Sequence, residues 1–284
     1  MKKLETLIED IYKPLEELSN GVALPITEKE LDKTMSRLKD AILSWSKPTK
    51  RDSNFSLRMS NIGRPARQLW YQKRDTSSGD IDGASQIKFL YGHILEEIVL
   101  MLARMAGHNV TDEQKEVKVN NITGHMDCKI NGEVIDVKTA SSFAFKKFKY
   151  GTLTDDDPFG YLGQLAGYEE AEGTNNGGFL VINKESGELC LHQPEELDKP
   201  NIKNKIDNLI SAIEVNDMPE RCYNPVPDGK KGNYKLHKSC AWCKYKFDCY
   251  SDSNNGEGLR TFKYSNSLVF LTHVESEPQV EEIL

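Results

Sequence analysis

The chain has 284 residues, of which 38% are hydrophobic and 29% charged, with a formal net charge of −7. That length exceeds a typical single domain, and that apolar share supports one core with polar extensions. The acidic balance argues against a protein that coats nucleic acid without specificity, and no stretch holds the roughly 20 apolar residues that a bilayer crossing needs.

The N-terminus, Met1-Lys-Lys-Leu-Glu-Thr-Leu-Ile-Glu-Asp10, turns acidic too early for a secretory signal. Six Cys without such a signal suit reduced thiols or a bound metal better than a disulfide framework. The expected location is cytoplasmic, with no membrane association. Residues 1–47 read as helices with a loop near Asn20-Gly21. Leu4, Ile8, Ile11, Leu15 and Leu18 recur at helical spacing, and Thr27-Glu-Lys-Glu30 resembles a capping box ahead of Leu31, Met35, Leu38 and Leu43. A packing or partner-contact role is expected for this part. Residues 47–54 form a breaker-rich linker.

Arg58, Arg64, Arg67, Lys73 and Arg74 then surround Trp70 and Tyr71, with Ser60 placed to cap a short helix. Either Arg64 and Arg67 contact phosphates beside stacking aromatics, or the aromatics are core and the arginines solvate the outside. After a polar loop over 75–84, a helix runs from Ser85 to His108. Ile87, Tyr91, Ile94, Leu95, Ile98, Leu102 and Met105 form its apolar face. Gly92 within it marks a close approach by another element, and Glu96 and Glu97 fall off the stripe as surface acids. Residues 109–119 read as a strand.

Asn131-Gly132 suits a two-residue type I′ hairpin turn. Closing the turn there pairs Ile130 with Glu133, Cys128 with Ile135, Met126 with Val137 and Asp127 with Asp136. Alternation puts Met126, Cys128, Ile130, Ile135 and Val137 on one face and His125, Asp127, Asp136 and Lys138 on the other. Two facing carboxylates repel. The polar face is therefore either a cation site or an ordinary solvated surface. Lys146, Lys147 and Lys149, among aromatics just beyond, suit a phosphate backbone or a solvated charge run. Asp155-Asp-Asp-Pro158 marks a helix start, with Pro158 near the first helical position and Tyr161, Gln164 and Tyr168 on one face. A second hairpin, 178–183 with 188–192, and a helix over 195–216 follow. Cys240-Ala-Trp-Cys243 with Cys249 reads as a zinc knuckle completed by His237 or Cys222, or as small buried hydrophobes. Ser267–Val274 reads as a strand before a frayed acidic tail.

Four short motifs, Gly92-His-Ile-Leu-Glu96, Gly124-His-Met-Asp127, Ile135-Asp-Val-Lys138 and Gln164-Leu-Ala-Gly-Tyr168, stand in the order found in the PD-(D/E)XK nucleases. They resemble the branch that holds the RecB nuclease domain, lambda exonuclease and CRISPR-associated exonucleases. The resemblance implies an α/β fold with a restriction-endonuclease-like core, a central mixed β-sheet flanked by helices. The order of predicted elements divides the chain into a helical N-terminal region (1–84), an α/β domain (85–217), which the resemblance makes the nuclease core, and a Cys-containing C-terminal segment (218–284). The same resemblance implies a metal-dependent DNA exonuclease, phage-like and acting in recombination, repair or degradation. The alternatives are an endonuclease on branched or single-stranded DNA, or a catalytically silent DNA-binding scaffold. Glu96, Asp127, Asp136 and the Val137 carbonyl would hold Mg²⁺ or Mn²⁺, and Lys138 would orient the water and stabilise developing charge. Gln164 and Tyr168 would contact the phosphate backbone, with His93 and His125 nearby. DNA is the implied partner, together with a single-strand annealing or other recombination protein, in the host cytoplasm if the chain is phage-encoded. The Cys240, Cys243 and Cys249 spacing also resembles the iron–sulfur motif of many relatives, but Pro65 stands where their upstream Cys would be. That departure favours Zn²⁺ over an iron–sulfur cluster.

Overall fold

A computed structural model describes residues 2–47, 55–76, 81–265 and 267–283. Most of the linker expected over 47–54, and the middle of the loop expected over 75–84, lie outside the described residues. The chain forms two compact units, one of Met1–Gly63 with Thr76–Ile206 and one of Arg64–Asp75 with Asp207–Leu284. The boundaries at 84/85 and 217/218 thus give way to a different division, because the N-terminal helices pack into the core while residues 64–75 pack with the C-terminal segment.

The helices α1 (Leu7–Glu17), α2 (Glu28–Trp45), α3 (Ala66–Arg74) and α4 (Gly83–Met105) come first. The Thr27 hydroxyl accepts the Glu30 N–H at 3.2 Å and starts α2. Leu4, Leu7 and Ile11 are buried in the main core with Val99, Leu100 and Ala103 of α4. On α2 the expected apolar residues Leu31, Met35 and Leu43 are exposed. Its link to α4 is ionic instead, through Arg37 to Glu97 at 2.7 Å and Glu30 to Arg104 at 2.9 Å, with Glu113 bridging Arg37 and Arg104. Glu97 is accordingly buried, not a surface acid. The apolar stripe of α4 covers the core only in its C-terminal half, and Ile87 and Tyr91 are exposed. Among the described residues a Cβ at Gly92 would meet nothing within 4 Å, so none of the described elements packs closely there.

The expected strand over 109–119 is two, β1 (Val110–Thr111) and β2 (Lys115–Val119), broken where Asp112 and Gln114 take positive φ. The next strands are β3 (Ile122–Met126), β4 (Cys128–Ile130) and β5 (Glu133–Ala140). The hairpin turn lies at Asn131-Gly132, with φ of 55° and 98°, and Cys128 pairs with Ile135 and Ile130 with Glu133. The pairing stops at Cys128. β3 leaves to pair with β2, Met126 opposite Lys115, so Asp127 and Asp136 are not cross-strand partners, nor are Met126 and Val137.

Helices α5 (Ser142–Lys149) and α6 (Tyr161–Glu172) cross to β6 (Gly178–Asn183), which is parallel to β5, and β7 (Leu189–His192) returns antiparallel. Among the described residues the sheet order is β1-β4-β5-β6-β7, and α1, α4, α5 and α6 pack on it. The fold is α/β, a central mixed sheet flanked by helices. One sheet face, with Cys128, Ile130, Ile135, Val137, Leu180 and Ile182, packs against α1 and α4. Alternation sends Asp136 and Lys138 to the other. Helix α6 starts after Gly160, not at Pro158; the Asp157 carboxylate caps it by accepting the Tyr161 and Leu162 N–H groups, each at 2.9 Å. The next helix, α7 (Ile202–Glu214), begins later than expected, with the Asn201 side chain accepting from Asn204 N–H.

In the second unit α3 starts after Pro65, and no side chain, Ser60 included, caps it. Trp70 Nε1 donates to the Val215 carbonyl, the Arg74 guanidinium lies 4.0 Å from the Trp70 ring, and Tyr71 stacks on Tyr245 at 5.3 Å. Strands β8 (Val226–Pro227), β9 (Tyr234–Lys235), β10 (Arg260–Tyr264), β11 (Ser267–His273) and β12 (Glu282–Ile283) form a second sheet, in the order β12-β10-β11-β9-β8. The tail is therefore not frayed: it returns as β12, and Arg260 pairs with Glu277 and Glu282.

Candidate active site

A cavity of about 990 Å³ opens in the first unit, between α4, β3, β5 and α6. Glu96, Asp127, Asp136, Val137, Lys138, Gln164, Tyr168, His93 and His125 all line it. Each arrives for a local reason. Asp127 sits at the step between β3 and β4, and its Oδ2 accepts the Val137 N–H at 2.7 Å. A side chain there does what a continued ladder would have done with backbone. Gly124 makes the step possible, since a Cβ would come within 2.4 Å of Met59 Cβ. Asp136 is 1% exposed, on the middle of β5. Its Oδ2 forms an ion pair with Lys138 Nζ, and its Oδ1 has no hydrogen-bond partner among the described residues. Glu96 projects from α4 and accepts from Gln114 Nε2 at 2.7 Å.

Charge is concentrated and poorly solvated here. Burial, then Asp136 and Glu96, push the Asp127 carboxyl well above the usual range. Burial, then Glu97, push Glu96 up to about 7. Burial opposes the charge on Lys138, yet Asp136 and Asp127 outweigh it and hold the ammonium protonated well above its ordinary range. The ammonium also lies 4.8 Å from the Tyr161 ring centroid. A directional chain follows. Lys138 Nζ donates to Gln164 Oε1 at 3.3 Å, Gln164 Nε2 donates to Tyr168 Oη at 3.0 Å, and Tyr168 Oη donates to the His125 carbonyl at 2.8 Å. Gln164 and Tyr168 thereby tie α6 to β3 and orient Lys138. His93 and the side chain of His125 are exposed at the cavity.

An unpartnered, buried carboxylate oxygen beside two more acids is a donor set suited to a hard divalent cation. The acids are not closed around one point, and among the described residues no three His, Cys, Asp or Glu side chains are. Asp136 is engaged by Lys138, Asp127 by Val137 N–H and Glu96 by Gln114.

The expected phosphate-contacting cations lie elsewhere. Arg67 donates to Cys249 Sγ at 3.1 Å and to the Pro219 carbonyl, inside the second unit. Arg64 does not line the cavity, and its Nε is buried. Lys147 pairs with Asp156 at 2.6 Å and Lys149 with Glu188 at 2.5 Å, while Lys146 is exposed away from the cavity. Besides Lys138, the Lys and Arg side chains that line it among the described residues are Arg58, Lys88 and Lys184, with Phe89 and Tyr91. Sequence reasoning missed Gln114, Lys88, Phe89 and Lys184. Phe89, Gly92, His93 and Glu96 follow helical spacing, a signal that could have found Phe89.

In the second unit, Cys222, Cys240, Cys243 and Cys249 line a small cavity of about 30 Å³. They are free thiols. Burial, then Cys222, Cys243 and Cys249, push the Cys240 thiol up to about 12. His237 takes no part: its ring stacks on Tyr223 at 4.7 Å and its Nδ1 accepts the Ser239 N–H.

The chain is similar to several solved structures. An alkaline exonuclease from Laribacter hongkongensis matches at 14% identity and a TM-score of 0.41, over 61% of this chain and 92% of that one. The same enzyme in complex with dAMP matches at 14% identity and a TM-score of 0.34, over 63% and 86%. A protein titled SSO0001 matches at 14% identity and a TM-score of 0.36, over 75% and 93%. Superpositions that loose do not transfer a reaction. No family model and no curated protein matches the chain. Among the described residues no helix is long and apolar enough to cross a membrane.

Proposed function

We propose that the chain is a divalent-metal-dependent deoxyribonuclease of the PD-(D/E)XK kind, acting from DNA ends in recombination, repair or degradation. The observation that carries the reading is the convergence of Glu96, Asp127, Asp136 and Lys138 in one open cavity, with Asp136 Oδ1 buried and unpartnered. The four motifs that suggested this family lie on α4, β3 and the step after it, β5 and α6. Glu96, Asp127, Asp136 and the Val137 carbonyl would hold Mg²⁺ or Mn²⁺. Bound there, the ion would neutralise the acids and polarise a phosphoryl oxygen. The protein's own contribution centres on Lys138. Asp136 and Asp127 favour its charged form, which suits a donor better than a base. It donates to the phosphate as charge develops, and Gln164 fixes where that donor stands.

The test uses end-labelled linear DNA and covalently closed circles with Mg²⁺. Wild type should degrade linear DNA, and Asp136→Asn should abolish this. Lys138→Ala should slow it by about 10²- to 10³-fold, as loss of a single transition-state donor does. Cleavage of closed circles as fast as linear DNA would establish an endonuclease instead. Undiminished cleavage by both variants would remove these residues from the chemistry, and no cleavage by any form would leave a silent DNA-binding scaffold.

We further propose that the four thiols of the second unit bind Zn²⁺. Four Cys form a common structural zinc set. All four line one small cavity of the second unit. Cys222, not His237, is the fourth ligand.

A further inference from the structure

The cavity mouth carries a feature that phosphodiester hydrolysis does not require. Phe89 and Tyr91, on the first turns of α4, line it and are 50% and 52% exposed. Large aromatic side chains are expensive to leave in water unless something covers them. Arg58, Lys88 and Lys184 line the same cavity, in addition to Lys138, in a chain whose net charge is −7. Phe89 lies seven residues before Glu96 on the same helix face, about 10 Å along the axis at 1.5 Å per residue. Between them lies Gly92, with open space where a side chain would be. Among the described residues a bare strip therefore runs from Phe89 to Glu96, while Tyr91, about 200° round the helix from Phe89, lines the cavity from another side of α4.

We infer that this strip is a binding track for an unpaired DNA strand, with Phe89 and Tyr91 stacking on bases while Arg58, Lys88 and Lys184 hold the phosphates. The inference rests on the hydrolytic reading above and names its substrate class. Ring faces and cations side by side match the two chemistries of a single strand, base planes and phosphates. In a duplex the base planes are covered by their neighbours, so these rings would find no partner along its length. At about 3.4 Å per stacked nucleotide, the base stacked on Phe89 lies about three nucleotides from the carboxylates.

The experiment measures binding of an unpaired oligonucleotide, and of a blunt duplex of equal length, to the full chain in EDTA across a salt series. Phe89→Ala and Tyr91→Ala should each weaken unpaired-strand binding by about 5- to 100-fold, the range for loss of one base–aromatic stack, without changing its salt dependence. Lys88→Ala should lower the slope of log affinity against log salt by about 0.7. Phe143→Ala, at an exposed aromatic that does not line the cavity, is the control and should match wild type. Gly92→Met, at a site with room for a side chain, should weaken the unpaired strand by obstructing the track. Unchanged binding by both aromatic variants, or tighter binding of blunt duplex than of the unpaired strand, would overturn the inference. Cleavage that is lost in Asp136→Asn would then still uphold hydrolysis, so the two readings fail separately.

Discussion

Glu96 is an acid held where its charge is costly. Burial and the neighbouring Glu97 raise its pKa to about 7. An acid whose folded pKa lies above its ordinary value near 4.3 subtracts stability as the pH rises from that value to about 7, because the unfolded chain ionises first. Glu96→Gln removes the penalty. In EDTA, the variant should melt higher than wild type at pH 8, and the difference should shrink as the pH is lowered toward 4. An equal difference at both pH values would show that Glu96 does not sense its neighbours. The adjacent Glu97 looks equivalent in sequence, yet it is buried against Arg37 on α2. The 100° step between consecutive helical residues decides which acid meets the cavity and which the ion network, and only the packed neighbours show it.

At the scale of elements, the hairpin was legible from Asn131-Gly132 and from alternation, while the departure of β3 was not. A period-two pattern continues unchanged through Asp127, but Gly124 lies against Met59 and Tyr168, and β3 pairs with β2. Gly124→Val would drive its Cβ to within 2.4 Å of Met59 Cβ. It should lower the melting temperature and abolish activity together, since moving β3 moves Asp127. Activity retained at wild-type level would sink this account of the step. The N-terminal element is tied down by His108, whose ring meets Asp10 at 3.0 Å and Asn131 at 2.9 Å, with Lys2 also on Asp10. Burial lowers the His108 pKa despite Asp10, and hydrogen bonds from Thr6 and Lys2 lower that of Asp10 to about 2. Both folded values lie below the unfolded ones, so their stabilisation is complete above about pH 6.5 for His108 and about pH 4 for Asp10. It is lost as the pH falls below each. The melting temperature should decline in those two windows, and His108→Gln should flatten the upper one.

For the whole molecule, grouping of distant segments is the main product of folding. The segment over residues 64–75 reads as a nucleic-acid contact because its arginines flank aromatics. In the structure those groups bind the C-terminal unit, Arg67 through Cys249 and Arg74 through the Ile213 and Val215 carbonyls. The same grouping brings Cys222 to Cys240, Cys243 and Cys249 and leaves His237 out. Metal analysis of purified protein should find one zinc per chain with no visible iron–sulfur absorbance. Cys222→Ser should lose the metal, while His237→Ala should keep it. Retention by the first and loss by the second would reverse the ligand assignment, and iron with broad visible absorbance would replace zinc.

Local pattern determined the α/β composition, the I′ turn and the shared face of Asp136 and Lys138, while Glu96, Gln164 and Tyr168 were singled out by the order of four short motifs. Those features are written at short range, in periods of 2 and 3.6 residues and in turn chemistry. Only the tertiary structure decided that β3 leaves the central sheet, that the acidic tail returns as a strand, and which basic residues border the cavity. A side chain's charge is visible in sequence, but its partner is not. Lys147 and Lys149 are claimed by Asp156 and Glu188, while Arg58, Lys88 and Lys184 line the cavity that holds Lys138 and the three carboxylates.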